Sequence, residues 1–435
     1  MKWFTGALFI LFIAWIFDLG LLAYAAYALI AVLVGSRMLT SRWATDMSAL
    51  RQCDRLTAEI GDTVTIDLDV QNKGAIPVAW LLLEDLLPLS AMLHNPPNLG
   101  VAGRRIDVMM LWGGAKKHLS YKMQCNRRGY YQIGPLVMET GDLFGLHRRY
   151  RVMSDPNYLL VYPKVMPLEG YEVASKRPIG EVRMTYRLYE DPTRIAGVRR
   201  YEAGDPLNRV NWRATARTGE LHSKVYEPST VVGTTIVMDF HQATNPAHNE
   251  PFRSELAVTM AASLANAVYE MQQQVGLISN GRDAADRIRQ EGWVGDARTR
   301  DEAQASAKMM DKSNRLAPVV VETRRGVEQF MRILETLARL ELTDGLDLPR
   351  LITEVSSRLP RDATVIVILQ TVTTEAAIAL GNLKRSGYAV TAMINLHEEY
   401  DYAQAAGPLI AEGIETKHLK DEQAVSTICR NYVLR

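Results

Sequence analysis

The chain has 435 residues, of which 47% are hydrophobic and 23% are charged, and its formal net charge is +1 at neutral pH. This length exceeds one ordinary hydrophobic core, so we predict two or three domains. A nearly neutral chain has no overall field that attracts polyanions, and we do not expect it to bind nucleic acid. The cysteines Cys53, Cys125 and Cys429 show no paired spacing, which argues against a disulfide scaffold or a zinc site and favours a reducing compartment.

Two apolar segments open the chain, residues 3–17 and 21–35, and Asp18-Leu19-Gly20 separates them. As one helix the whole stretch would measure about 50 Å, whereas the hydrocarbon core of a bilayer is about 30 Å thick. We therefore predict a transmembrane helical hairpin over residues 1–36, with a single span as the alternative. Basic residues flank both outer ends, which by the positive-inside rule predicts that both ends are cytoplasmic. These residues are Lys2, Arg37, Arg42, Arg51 and Arg55.

Residues 37–165 are predicted to form a basic juxtamembrane connector, over about 36–55, followed by an antiparallel β-sandwich. Residues 63–70 alternate apolar and polar side chains, residues 119–126 do so again, and glycines punctuate short extended runs over 127–146. Short alternating strands at this spacing are typical of a sandwich.

A pair of neighbouring acids, Glu84 and Asp85, lies in the apolar stretch 81–88 of this region. Adjacent residues on a strand point to opposite faces, so the two carboxyl groups are poorly placed to act as an acid–base pair. We expect both to be solvated residues of a turn.

Residues 230–435 are predicted to form a doubly wound, Rossmann-like α/β domain with a mostly parallel sheet. Buried strands alternate with amphipathic helices, a pattern that such sheets require. The predicted strands are 230–240, 275–279, 363–369 and 388–396. One helix is predicted to begin near 249–251, and three more are predicted over 327–338, 346–359 and 374–386. A closing helix–strand–helix is predicted after the last of these strands. Residues 281–317 are polar and poor in aromatics, and we predict a polar insertion there that is a candidate partner contact.

Residues 166–229 are predicted to be a linker, and its second half is the densest polar stretch of the chain. This stretch, "VRRYEAGDPLNRVNWRATARTGELHSKVYEP" (198–228), resembles the signature of the domain-of-unknown-function 58 family. "RRGYYQIGP" (127–135) and "GDLFGL" (141–146) are similar to upstream segments of that family, although Leu143 stands where proline is usual. The signature positions are matched by Arg200, Tyr201, Gly204, Asp205, Arg209, Trp212, Arg217 and Lys224.

Acidic residues are interleaved with the basic residues of this stretch, so its charges neutralise one another. We therefore predict an interdomain clamp or a partner-facing rim rather than an active site or a polyanion patch. Gly204-Asp205-Pro206 is predicted to form a turn in which Asp205 bonds backbone amides. Trp212 and Tyr201 are expected to supply apolar surface for packing, and the arginines to form bidentate ion pairs.

The family resemblance implies that residues 230–435 are a von Willebrand factor A-like domain. Such domains often hold Mg²⁺ through oxygen ligands at the end of the first strand. Here Asp239 is present, but His241 and Ala243 occupy the two serine positions, and Gln370-Thr371 stands where a second acidic residue is wanted. We predict a degenerate site that retains Asp239 only, with neither metal nor other cofactor. Asp239 should instead cap the following turn, and His241 should be exposed or hydrogen-bonded.

The resemblance also implies partnership with membrane-associated MoxR-type AAA+ ATPases. The functional expectation is a non-catalytic adaptor or scaffold, held in a bacterial inner membrane through residues 3–35, with its soluble domains in the cytoplasm. It would work with such an ATPase and with other envelope-complex proteins in assembly or maturation. A Mg²⁺-dependent ligand-binding protein and an enzyme acting on a cell-envelope substrate are the alternatives.

Overall fold

The structure is a computed structural model. It describes residues 2–88, 91–92, 96–145, 147–168, 190–201, 210–228, 233–291, 316–360 and 363–428. The chain divides into two compact units, each built from separated segments of sequence. Unit 1 comprises Met1–Lys164, Gly281–Ala317 and Leu334–Gly345, and unit 2 comprises Val165–Asn280, Pro318–Ile333 and Leu346–Arg435.

Two apolar helices, α1 (Lys2–Ile16) and α2 (Gly20–Asp46), begin unit 1. They contact each other, and Asp18 in the turn between them has a positive φ of 50°. Helix α2 is long and apolar enough to cross a membrane, as predicted for this end of the chain, whereas Thr5–Ile16 is a shorter apolar helix. The two helices and their turn leave many large apolar side chains exposed, including Phe9, Phe12, Trp15, Phe17, Leu21, Tyr24 and Tyr27.

The region after α2 is a β-sandwich, as the alternating sequence pattern predicts. One four-stranded sheet has the order β1-β3-β7-β5, a second has the order β10-β9-β4-β6, and all neighbouring pairs in both are antiparallel. Their inward side chains share one core, in which Val64 and Ile66 of β3 meet Leu81 of β4 and Met138 of β9. The strands are β1 (Met47–Cys53), β3 (Thr63–Asn72), β4 (Val78–Asp85), β5 (Leu99–Gly103), β6 (Ile106–Leu111), β7 (Lys116–Cys125), β9 (Leu136–Gly141) and β10 (Arg148–Ser154).

A smaller sheet, in the order β2-β11-β8, completes the sandwich region. Strand β11 (Asn157–Tyr162) runs parallel to β2 (Thr57–Glu59) and antiparallel to β8 (Gly129–Ile133). The purely antiparallel prediction therefore holds for the two larger sheets but not for the β2–β11 pair.

The predicted polar connector over residues 36–55 is replaced by regular structure, because α2 runs to Asp46 and β1 begins at Met47. Trp43 is buried in the sandwich core, and Thr40 is also buried. Residues at this spacing share one face of a helix, so the polar end of α2 still has a buried stripe. The sequence reading was wrong here because charged residues on the outer face of α2 obscured that stripe.

Unit 2 is built on a six-stranded sheet with the order β17-β15-β14-β19-β20-β21. All neighbouring pairs are parallel except β15–β17, which confirms the predicted mostly parallel sheet. Every residue of β14 is buried, so both faces of this strand are covered. The strands are β14 (Gly233–Met238), β15 (Gln274–Ser279), β17 (Val319–Arg324), β19 (Ala363–Leu369), β20 (Ala389–Ile394) and β21 (Glu415–His418).

Most helices of the C-terminal half lie where the amphipathic pattern predicts them, whereas the helix Ala284–Glu291 lies within the predicted polar insertion. These helices follow α3 (Trp212–Thr218) in the chain. They are α4 (Phe252–Glu270), α5 (Ala284–Glu291), α6 (Val327–Arg339), α7 (Leu348–Val355), α8 (Thr374–Arg385), α9 (Glu399–Ala411) and α10 (Glu422–Thr427). Helices α7, α8 and α9 share a core with the strands of the sheet. Strand β17 was not predicted.

The predicted polar insertion over 281–317 is described only at its two ends. Strand β16 (Arg282–Asp283) pairs with β18 (Leu340–Glu341), and Arg287 of α5 forms a 2.6 Å ion pair with Glu341. Segment Gly281–Ala317 groups with unit 1 rather than with the α/β sheet.

Candidate functional site

The family signature folds, in its described part, as a hairpin that carries a short helix. Strand β12 (Glu190–Arg200) pairs antiparallel with β13 (His222–Pro228), and α3 (Trp212–Thr218) lies between them in sequence. The side chain of Asn211 accepts a hydrogen bond from the Ala214 amide at 3.2 Å and so caps the start of α3. We call these elements the signature hairpin.

The signature residues predicted from sequence are only partly visible. Gly204, Asp205 and Arg209, with the predicted turn at 204–206, lie outside the described residues. Arg200 forms a 2.9 Å ion pair with Glu220, and both side chains are exposed. The Tyr201 amide donates to the Leu221 carbonyl at 2.8 Å, Arg217 is exposed in the last turn of α3, and Lys224 lies on β13.

Trp212 is not packed as predicted, because 68% of the residue is exposed. Trp212 is the first residue of α3, and Val210, two residues before it, is buried. Val198 and Leu221 on the same hairpin are 43% and 46% exposed. The signature hairpin therefore presents apolar side chains and an exposed Arg–Glu pair to its surroundings. Large exposed apolar residues of this kind are typical of protein-binding surfaces.

Asp239 lies at the carboxyl end of β14 and is buried. Its Oδ1 accepts hydrogen bonds from Asn280 Nδ2 at 2.8 Å and from the His241 amide at 3.2 Å. The second of these bonds caps the following turn, as the sequence predicted. The ring of His241 in turn accepts a hydrogen bond from the Ala243 amide at 3.1 Å, so the expectation for His241 is also confirmed.

Burial raises the pKa of Asp239, and the hydrogen bonds from Asn280 and from the His241 amide oppose that rise only in part. Oδ2 of Asp239 has no hydrogen-bond partner among the described residues. A buried carboxyl group with this environment favours its protonated form.

Polar side chains that the sequence analysis did not single out as a group follow the neighbouring strands at the same edge of the sheet. Asn280 follows β15, Gln370 follows β19 and Asn395 follows β20, and all three are buried. Neither amide atom of Gln370 has a partner among the described residues, whereas Asn395 exchanges hydrogen bonds with Arg253. Carboxyl ends of adjacent parallel strands meet at one edge, and that edge is where doubly wound sheets bind ligands. A buried amide directly after each apolar run was the signal available in the sequence.

A metal centre finds little support in this arrangement. Among the residues that the structure describes, no three histidine, cysteine, aspartate or glutamate side chains lie close enough to hold a metal ion. Asp239 is surrounded by amide and hydroxyl groups, whereas Mg²⁺ sites use carboxylates and several water molecules. The donor set around Asp239 therefore does not fit a tightly held Mg²⁺ ion.

Comparison with known proteins places the signature in a family. Residues 197–293 match the family described as "Protein of unknown function DUF58". The chain is 24% identical over 273 residues to "Uncharacterized protein YeaD" of Bacillus subtilis (strain 168), an alignment that covers 62% of this chain and 63% of that protein. The matched region therefore spans less than two thirds of the relative.

Solved structures give weaker likenesses. The CARDB domain of a Pyrococcus furiosus protein is 12% identical with a TM-score of 0.18, and covers 27% of this chain and 94% of that domain. Proximal thread matrix protein 1 from the mussel byssus is 9% identical with a TM-score of 0.29, and covers 46% of this chain and 47% of that protein. Scores this low carry no argument about fold or function. The sequence match over residues 197–293 nevertheless bears out the resemblance of the signature to the DUF58 family.

Proposed function

We propose that the protein is a membrane-anchored, non-catalytic adaptor whose signature hairpin binds a protein partner. The observation that carries this proposal is the exposure of Trp212 on the hairpin that holds the family signature. Tryptophan and arginine are the residues that most often dominate binding energy at protein interfaces. Trp212, Arg200 and Arg217 all belong to the described part of this motif.

Membrane anchoring is supported by the N-terminal helices. Trp15, Leu21 and Tyr24 are 79%, 89% and 77% exposed, which is a large apolar surface to leave in water. We propose that α1 and α2 form a transmembrane hairpin in the bacterial inner membrane and hold both soluble units on the cytoplasmic side. The basic residues Arg37 and Arg42 after the apolar run support this orientation.

The proposed partner is a MoxR-type AAA+ ATPase, with which the protein would act in the assembly or maturation of envelope complexes. The support for this partner is the resemblance of the signature motif to the family. We further propose that the sheet of unit 2 is a von Willebrand factor A-like domain, and its parallel strands with one antiparallel edge strand support that proposal.

The proposal is tested by photo-crosslinking in native membranes. A photoreactive amino acid replaces Trp212 in the full-length chain, and crosslinked proteins are identified by mass spectrometry in the presence and absence of ATP. Trp112 supplies a matched control, because it is also a tryptophan and is 66% exposed, but it lies in the sandwich. We expect an AAA+ ATPase to be crosslinked from position 212 and not from position 112.

A second measurement gives the size of the effect. Trp212→Ala should weaken capture of the ATPase about 30-fold, the equivalent of a hot-spot loss of about 2 kcal/mol. Trp112→Ala should leave capture unchanged. Equal capture by both variants, or no ATPase in either nucleotide state, would contradict the adaptor proposal.

A further inference from the structure

The loop between β9 and β10 carries two exposed apolar side chains. Leu143 is 75% exposed and Phe144 is 69% exposed, and they are consecutive residues of the "GDLFGL" segment. The base of the loop is fixed. The Asp142 carboxylate accepts a 2.7 Å hydrogen bond from the His147 amide, and Trp80 Nε1 donates to the Asp142 carbonyl at 3.5 Å. The first of these bonds joins the two ends of the loop, at Asp142 and His147.

Helix α2 determines where that tip lies. The Ser36 hydroxyl lies beside the buried carboxylate of Asp142, and β9 and β10 both contact α2. Ser36 is the first polar residue after the apolar run 21–35. The base of the loop is therefore level with the point at which the apolar segment of α2 ends.

A second set of contacts fixes the direction of the loop. Arg151 of β10 donates to the carbonyl oxygens of Ala44 at 2.9 Å and Thr45 at 3.3 Å, near the C-terminal end of α2. Going back from Arg151 to Arg148 along the strand covers about 10 Å, and going back from Ala44 to Ser36 along the helix covers about 12 Å. Strand β10 therefore follows α2 towards its apolar segment, and the loop lies at the membrane end of the sandwich.

The charges around the loop suit a lipid surface. Arg37 on α2 and Arg148 and Arg149 at the start of β10 are exposed. Arg148 forms a 3.4 Å ion pair with Glu139, and its own side chain stays 69% exposed. Basic residues beside a membrane attract anionic headgroups, and exposed aromatic and aliphatic side chains partition into the interface.

The acidic side chain of Asp142, at the base of the loop, does not place an exposed negative charge beside these basic residues. Burial alone would raise the pKa of Asp142, but backbone hydrogen bonds, led by the one from the His147 amide, outweigh it and lower the pKa. Asp142 is itself buried, whereas Leu143 and Phe144 are exposed.

We propose that Leu143 and Phe144 insert into the bilayer surface beside α2 and dock the sandwich on anionic lipid. This inference rests on the proposed membrane anchoring through α1 and α2. It adds a second membrane contact, made by a soluble domain, that fixes the orientation of the sandwich relative to the lipid surface.

The test uses the full-length chain in vesicles of phosphatidylcholine and phosphatidylglycerol. The native cysteines are replaced by alanine, a single cysteine is introduced by Phe144→Cys, and an environment-sensitive nitrobenzoxadiazole dye is attached. Val108→Cys is the matched control, because Val108 is 64% exposed and lies on β6 of the same sandwich. Tyr27→Cys, on the exposed face of α2, reports the anchor itself. Circular dichroism verifies that each variant is folded.

We expect the dye at position 144 to shift to the blue and to be quenched by lipids spin-labelled near the headgroup. The dye at position 108 should do neither, and the dye at position 27 should be quenched by lipids labelled deeper in the acyl chain. Adding Leu143→Asp should abolish the shift at position 144 and leave position 27 unchanged.

The failures are distinguishable. Quenching at position 27 without quenching at position 144 overturns the docking proposal and leaves the anchor intact. Absence of quenching at position 27 overturns both proposals. A photoreactive residue at position 144 that captures a protein in native membranes, with no lipid quenching in vesicles, overturns lipid docking in favour of a protein contact.

Discussion

Two buried carboxylates, one in each compact unit, are handled in opposite ways. Asp85 ends strand β4 of the sandwich, and Asp239 follows strand β14 of the α/β sheet. Both are almost fully buried, and burial raises the pKa of each. The difference lies in their hydrogen-bond and ion-pair partners.

Asp85 is satisfied on both oxygens. Arg51 Nη1 forms a 2.8 Å ion pair with Oδ1, and the Tyr121 hydroxyl donates to Oδ2 at 2.7 Å. Burial and the neighbouring carboxylate raise the pKa of Tyr121, so this hydroxyl remains a donor. Arg51 also donates to the Asn157 side chain at 2.7 Å, which ties β1, β4, β7 and β11 together.

Asp239 has no such cation. Its partners are an amide side chain and a backbone amide, both on Oδ1, and Oδ2 has no partner among the described residues. Unsatisfied buried polar groups cost free energy and persist where they serve a function. The carboxyl edge of the unit 2 sheet, where Gln370 is also unsatisfied, is therefore the better candidate for ligand binding.

The largest expected effect comes from breaking the sandwich pair. Asp85→Asn would leave the buried Arg51 guanidinium without its counter-charge and should lower the free energy of unfolding of unit 1 by about 3–5 kcal/mol. Hydrogen exchange of the β3 and β7 amides reports this unit separately. Asp62→Asn is the control, because Asp62 pairs with Arg55 at 3.0 Å while both side chains are well exposed. It should cost less than about 1 kcal/mol, and an equal loss in the two variants would refute the distinction.

A smaller effect is expected at Gly134, which packs against the same arginine. Gly134 has a φ of +89°, and a Cβ built there would overlap the Arg51 guanidinium. Gly134→Ala should cost about 1–3 kcal/mol for the backbone alone, and more for displacing Arg51. Gly61→Ala separates the two contributions, because Gly61 has a φ of +98° with nothing within 4 Å of its Cβ position. Thermal unfolding should show the larger loss for Gly134→Ala, and similar losses would exclude the packing contribution.

Most elements of unit 2 could be predicted because central strands such as β14 and β19 are continuous apolar runs, whereas the edge strand β17 was not predicted. The partners of Asp85 could not, since Arg51 and Tyr121 are distant in sequence and meet it only in the folded sandwich. The prediction that Glu84 and Asp85 are solvated was wrong for this reason, as only 3% and 0% of these residues are exposed. The error for Trp212 was the reverse, since this residue was expected to pack and is instead exposed. Residue type alone does not distinguish a core tryptophan from one at a binding surface.

The smallest expected effect is a pH dependence at Asp239. Because its pKa in the folded state is raised above the unfolded value of about 3.9, the native state holds the proton more tightly. Wild-type stability should therefore fall as pH rises from about 3.9 through the raised pKa. Asp239→Asn keeps an oxygen for the Asn280 and His241 donors but cannot ionise, so it should lack this loss. At neutral pH the free energy of unfolding of Asp239→Asn should exceed that of the wild type by about 1.4 kcal/mol for each unit by which the pKa is raised.

Urea denaturation at acid and neutral pH measures this difference in the free energy of unfolding. Asp401→Asn, at an exposed position, is the control. An advantage that does not grow with pH would mean that Oδ2 has a cationic partner in solution, which would remove the contrast with Asp85.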